Sequence, residues 1–349
     1  MQSGSVRKKT RPTLALLAAL SLVLALSVTS CGSSGPVSGS AAMAHVDAML
    51  KLGPRPFGSD NLAKAADYIC AEIDKIDGLK AERQEAEHAK EKKTIRNLYC
   101  QIDGEDPENG PILMIAAHYD TKLADGHSDT AHNIPFVGAI DGTGAPAVLI
   151  ELARSLQNAK QKTKCNVWLY WIDAEESIDW TWNDDRALLG SDMFAKWMKK
   201  NGTMDRLKAF VLLDLIGSKD MKIDEDGNSV GSLLEIFGTA AKDMGESKRM
   251  YEFPTAGEKA EYQRRGINKW GTKDDHLNFS NYGIPTALLI DFSQRVPGQV
   301  STGDRFVQWW HTEHDNRAAM DSDSLAFAGN LVMKAMPALD AFVTKKKGK

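Results

Sequence analysis

Cysteine is scarce in this 349-residue chain: there are four, Cys31, Cys70, Cys100 and Cys165, and no two stand in a Cys-x-x-Cys spacing. That excludes a thiolate zinc site and a thioredoxin-like redox motif. The three after Cys31 cannot all pair, so Cys70, Cys100 and Cys165 read as small buried hydrophobes, with one disulfide allowed and none expected. Basic excess is lacking too. Lys and Arg number 43 against 47 acids, a formal charge of −4. Leaving out Arg7, Lys8, Lys9 and Arg11 takes the basic count to 39 and the balance to −8. A nucleic-acid partner would want a basic face, so none is expected. The longest apolar run, Leu14 to Val28, is about 15 residues, short of the roughly 20 that span a membrane as a helix. Neither an internal repeat nor a second linker is visible.

What is present begins with a leader. Arg7 to Arg11 supply a positive segment, the apolar run follows, and small residues lead to Ser30-Cys31. This order reads as a signal peptide over 1–30. Cys31 resembles the lipobox cysteine of bacterial lipoproteins and is the expected lipidation site, giving a membrane anchor through the N-terminus. The Gly- and Ser-rich stretch 31–42 reads as lipidated Cys and flexible tether, 43–344 as the catalytic domain, and 345–349 as a basic tail. The protein is thus expected to be exported and anchored to a bacterial membrane, facing the periplasm or on the cell surface.

From residue 43 onward, hydrophobic residues make up an ordinary globular share (42% of the whole chain), enough for a large core. Apolar residues at helical spacing mark Leu62–Ile76, Ala145–Leu156, Ala187–Met198 and Ser324–Val343. Short apolar runs mark strands at Ile95–Ile102, Ile112–Ala117, Val167–Ile172, Phe210–Leu215 and Thr286–Ile290. Such alternation predicts a single α/β domain: a central, mostly parallel twisted sheet flanked by helices. Ligands bind outside the carboxyl ends of the strands in such sheets. Polar residues collect at those ends: His118 and Asp120, Glu175 and Glu176, and Asp214.

Asp173-Ala174-Glu175-Glu176 is the central feature. Adjacent carboxylates repel unless a cation or shared proton relieves them, though an isolated Glu-Glu pair is more often a solvated loop. Asp141 stands in the glycine-rich Gly138–Gly144 turn, where alone it would cap a helix. His311 lies beside Trp309 and Trp310. Asp141, Glu176 and His311 together form an oxygen and nitrogen donor set of the kind that leaves one position open on a catalytic metal.

The ordered strings His118-Tyr119-Asp120, Gly138-Ala139-x-Asp141, Asp173-x-Glu175-Glu176, Leu188-Leu189-Gly190-Ser191, Leu212-Leu213-Asp214-Leu215-Ile216-Gly217, Asp274-Asp275-His276 and Trp310-His311-Thr312 resemble the zinc-dependent glutaminyl cyclases of the animal type and their bacterial relatives. Leu52-Gly53-Pro54-Arg55 with Gly58-Ser59 also recurs in that superfamily, whose fold is that of the zinc aminopeptidases. The resemblance spans roughly residues 45 to 330. It implies one zinc per chain on Asp141, Glu176 and His311, with Trp182 and Trp310 walling a pocket. It also implies cyclisation of N-terminal glutamine of peptides and proteins to pyroglutamate with release of ammonia.

Within that resemblance Glu175 is the proton carrier, and Asp214 and Asp274 accept hydrogen bonds from the amine or the transferring proton. Beyond the first residue the substrate chain is expected to face solvent. The rival is a zinc-dependent aminopeptidase, because His118, Asp141, Glu176, Asp214 and His311 also match a two-metal shell. One departure stands out: Leu288 occupies the position of a pocket histidine in the animal enzymes.

Overall fold

A computed structural model describes Met1 and residues 36–159, 161–293 and 309–345. The leader, Cys31 and residues 346–349 of the basic tail lie outside the described residues. Those from 36 onward belong to one compact unit, Ser33–Lys349.

The chain enters through α1 (Gly39–Leu50) and α2 (Asp60–Asp74), then β1 (Glu82–His88), β2 (Lys93–Ile102) and β3 (Ile112–His118). Next come α3 (Ala145–Gln157), β4 (Asn166–Ile172), α4 (Leu189–Lys200) and β5 (Leu207–Asp214). It finishes with α5 (Gly231–Asp243), α6 (Ala256–Arg264), α7 (His276–Ser280), β6 (Thr286–Ile290) and α8 (Ser322–Thr344). The sheet order is β1-β2-β4-β3-β5-β6. β4, β3, β5 and β6 are mutually parallel, while β2 joins antiparallel to β4 and to β1. The expected α/β domain is therefore present, its sheet mixed.

β3 and β4 are buried at every position, which is why they read as unbroken apolar runs: parallel strands covered on both faces have no polar side. Helices α1, α3, α5 and α8 pack together over one face, and α4 and α7 cover the other. β1 escaped the sequence reading because ERQEAEH has no apolar alternation; it is an edge strand whose charged side chains discourage further pairing.

The expected tether needs correction at its end. Helix α1 begins at Gly39, capped by Ser38, whose hydroxyl accepts the Ala41 N–H at 3.2 Å. Val37 is buried, and its N–H and C=O bond to the Asn330 side chain on α8 at 2.9 and 3.1 Å. Gly39 is there for close approach: a Cβ would sit 1.9 Å from the Ser322 carbonyl. Ser38 and Gly39 serve a cap and a tight helix crossing rather than flexibility. Cys70, Cys100 and Cys165 are buried and unpaired with one another. Among the described residues no helix is long and apolar enough to cross a membrane.

Candidate active site

All eight residues that the sequence reading placed in the site line one cavity of about 230 Å3: Asp141, Glu175, Glu176, Trp182, Asp214, Asp274, Trp310 and His311. Leu215, Thr272, Lys273, Ile290 and Phe292 complete its wall. It opens at the carboxyl ends of β3, β4, β5 and β6, where a parallel sheet gathers its loops. Leu288 lies in the core of β6, two residues before the lining Ile290.

Three non-glycine residues with left-handed backbone adjoin the site: Ala174 (φ 54), Leu215 (φ 50) and His311 (φ 56). Each costs on the order of 1–3 kcal/mol and persists only where surrounding structure imposes it. The bend at Ala174 ends β4 and sends the two glutamates apart. Glu176 reaches His311 Nε2 at 2.9 Å, whereas Glu175 lies 3.9 Å from His118 Nδ1. Asp141 is shared: its two oxygens lie 3.3 Å from His311 Nε2 and 3.3 Å from His118 Nε2. His118 Nε2 also stands 3.0 Å from Asp214 Oδ1.

Two donor groups result, in each of which one ligand atom per residue lies within 4.8 Å of the others: Asp141, Glu176 and His311, and His118, Asp141 and Asp214. Burial disfavours charge on these carboxylates. For Asp141, hydrogen bonds from His118 and His311 outweigh burial and hold the carboxyl well below its usual range. For Glu176, burial wins over the attraction of His311, and the acid is pushed up. His311 itself, lowered by burial but raised by Glu176 and Asp141, sits at about 9. A metal-ligating histidine must be neutral, so a divalent cation among these oxygens would replace the imidazolium charge that otherwise holds them together. The donor types, the burial and the convergence on one point fit such an ion.

Glu175 belongs to neither group. It is buried, and burial with repulsion from Glu176, Asp274 and Asp275 drives its carboxyl well up despite His118 nearby. Asp274 is raised likewise by burial, Asp214 and Asp275, and its buried Oδ2 has no hydrogen-bond partner. Trp182 stands at the rim, 37% exposed, with Nε1 bonded to Asp184 at 2.6 Å. Trp310 packs against Phe292 with ring centroids 4.4 Å apart.

Several supports were not foreseen. Asp120 accepts the N–H groups of Glu175 and Glu176 at 3.1 and 3.2 Å. Asp315 does the same for Ile140 and Asp141, at 2.7 and 3.1 Å. Each buried aspartate thereby clamps two consecutive amides beside a donor residue. Arg55, fully buried, donates to the carbonyls of Tyr119, Gly142 and Gly53 at 3.2 to 3.3 Å and to the Thr143 hydroxyl. Burial pulls its guanidinium down to about 10, while Asp120, Asp315 and Asp141 hold it charged. The sequence signal for Arg55 was present in Leu-Gly-Pro-Arg; for Asp315, four residues past His311, none was.

The model of peptidase family M28 matches residues 97–336, over two thirds of the chain and all of this site except Arg55. The chain belongs to peptidase family M28. It is 25% identical over 288 residues to the glutaminyl-peptide cyclotransferase of Drosophila melanogaster, covering 79% of this chain and 75% of that one. To the glutaminyl-peptide cyclotransferase of Dictyostelium discoideum it is 25% identical over 306 residues, 78% of each. The crystal structure of an Acidobacteriales bacterium glutaminyl cyclase superposes with a TM-score of 0.73 at 27% identity, covering 88% of this chain and 96% of the other.

Proposed function

We propose that this M28 protein is a glutaminyl-peptide cyclotransferase, which converts the N-terminal glutamine of peptides and proteins to pyroglutamate and releases ammonia. The observation that carries the reading is one small cavity in which Glu175, a buried acid outside both donor groups and 3.9 Å from His118 Nδ1, stands beside the Asp141, Glu176 and His311 donors. Relatives named glutaminyl-peptide cyclotransferase and a similar solved structure named glutaminyl cyclase support the same activity.

One zinc per chain is the ion we assign to Asp141, Glu176 and His311. When bound, it would supply Lewis-acid polarisation of the glutamine side-chain carbonyl. The remaining chemistry belongs to the chain's own residues. The substrate's α-amine nitrogen bonds to its own side-chain amide carbon, and the bond from that carbon to the amide nitrogen breaks. Glu175 takes the proton that the amine sheds and returns it to the departing nitrogen, which leaves as ammonia. A carboxyl with a raised pKa can both receive and give a proton near neutrality. The unpartnered Asp274 Oδ2 is placed to accept a hydrogen bond from the amine, and Asp214 holds His118 beside it. Trp310 and Trp182 narrow the cavity, which has room for one residue of glutamine's size, so the amine is held close to the carbon it attacks.

The second donor group, His118, Asp141 and Asp214, favours a second reading, a two-metal aminopeptidase. The zinc-loaded full chain should be incubated with Gln-β-naphthylamide and Leu-β-naphthylamide in parallel. Ammonia from the first, without naphthylamine from either, supports the cyclotransferase. Naphthylamine together with two metal ions per chain would replace it with the aminopeptidase.

The leader over 1–30 and lipidated Cys31 complete the proposal: an exported protein anchored to a bacterial membrane, facing the periplasm or on the cell surface. Cys31→Ala should move the protein from the membrane fraction to the soluble one. Unchanged fractionation would remove the anchor from the proposal.

A further inference from the structure

The catalytic cavity has a directional mouth. Most of its lining is buried or half-buried; the exposed lining residues are Trp182 and Lys273. Both also line a second, larger cavity of about 720 Å3 on the outer surface. The turn at residues 88–90 between β1 and β2 forms one bank, and Met193 of α4 and Leu277 of α7 lie on the other. A volume of this size is in the range of about 300–1,000 Å3 typical of ligand sites. The catalytic cavity, at about 230 Å3, suits the first residue, and among the described residues Trp182 and Lys273 are the exposed part of its lining, so a longer substrate has a way out past them.

These two rim residues share an acceptor. Asp184 accepts from Trp182 Nε1 at 2.6 Å and from Lys273 Nζ at 2.7 and 2.9 Å. The indole and the Lys273 ammonium thus share one solvent-exposed acceptor, and a tryptophan, with only two side-chain torsions, costs little entropy to pack against. Charges in the groove are largely matched: Asp184 with Lys273, and Asp192 with Lys196 at 2.6 Å. Its apolar lining comes from Leu188, Leu189, Met193 and Leu277.

We propose that this groove binds the two or three residues that follow the N-terminal glutamine, with Trp182 packing against the second. The inference rests on the cyclotransferase reading and replaces the expectation that the chain beyond the first residue faces only solvent. Three extended residues span about 10 Å, so the preference should develop with length and then level off.

The test compares kcat/KM for Gln-Leu-amide and Gln-Leu-Ala-Ala-amide by ammonia release, with the full zinc-loaded chain. The longer substrate should be preferred about tenfold, mostly through KM, a factor that corresponds to roughly 1.4 kcal/mol. Ala89→Trp, on the exposed turn, and Asn281→Trp, after α7, each fill the groove from a different element and leave the catalytic cavity alone. Both should erase the preference while keeping turnover of the short substrate within about twofold of the parent (well under 1 kcal/mol). Equal kcat/KM for the two lengths in the parent, or a preference that survives both tryptophans, overturns the groove and leaves the activity standing. Failure to release ammonia from either substrate overturns both.

Discussion

Replacing Glu175 by glutamine separates catalysis from architecture more cleanly than any other single change. The substitution preserves volume in a buried position and removes only the ability to take and give a proton. A positioned general acid–base contributes about 10^2–10^4 in rate. At about 1.36 kcal/mol per decade, kcat should fall by the equivalent of roughly 3–5 kcal/mol. Glu175 is in neither donor group, so zinc content should be unchanged and KM should move by less than about threefold. The metal-free protein should become more stable. Burial and the neighbouring Glu176, Asp274 and Asp275 raise the Glu175 pKa above its ordinary value of 4.5. The folded state therefore holds a proton that the unfolded chain loses, and stability falls as pH rises between the two pKa values. Glutamine has no such penalty. Its gain in melting temperature should be near zero at pH 4 and largest above neutrality. Ammonia release, zinc analysis and thermal melts across pH read these outcomes. Turnover within threefold of the parent would refute the proton-carrier role, and a variant that lost turnover, zinc and stability together would make Glu175 a structural residue.

Gly142→Ala tests the loop that carries Asp141. Gly142 has φ +90, and a Cβ there would stand 2.0 Å from the Asp120 carbonyl; the left-handed penalty alone is about 1–2 kcal/mol. Zinc should be retained poorly through gel filtration and the melting temperature should drop; normal zinc content would show that the loop tolerates the shift. Phe194→Ala empties a position stacked on Tyr170 at 4.1 Å and should cost about 3–5 kcal/mol in urea denaturation, with turnover per folded molecule unchanged. On the other side of the sheet, burial pushes Glu151 up, but the His45 hydrogen bond and Arg154 outweigh it, leaving the carboxyl below its usual 4.5. Stability from that pairing is present above pH 4.5 and is lost as pH falls through the lower folded value. The melting-temperature gap between the parent and Glu151→Gln should therefore narrow in acid; a gap independent of pH would mean that the pairing contributes nothing.

What could be read from the sequence divides along physical lines. β3 and β4 were legible because burial on both faces demands continuous apolar residues, and α2 because its buried residues, Leu62, Ala65, Ala66, Ile69, Cys70 and Ile73, recur on one face. The edge strand β1, with its charged face, carries no such pattern. The short helix α7 is held by tertiary contacts and not by its own period. At the site, the candidate donors could be named beforehand because metal ligation and proton transfer call for particular functional groups, and the structure gathers those residues around one cavity. The clamps were not legible. Asp120 stood out as a strand-end acid but not for this role, and Asp315 did not stand out at all, because both act by accepting backbone N–H groups that are brought to them only by folding. Arg55 was flagged by its Leu-Gly-Pro-Arg string, but its role was not: its partners are the carbonyls of Gly53, Tyr119 and Gly142 and the Thr143 hydroxyl, which meet only in the fold. The donors can be read one residue at a time, but the geometry that makes them a site lies in groups whose role exists only in three dimensions. Transfer of function between M28 proteins therefore has to be argued from the clamps and the cavity rim as well as from the ligands.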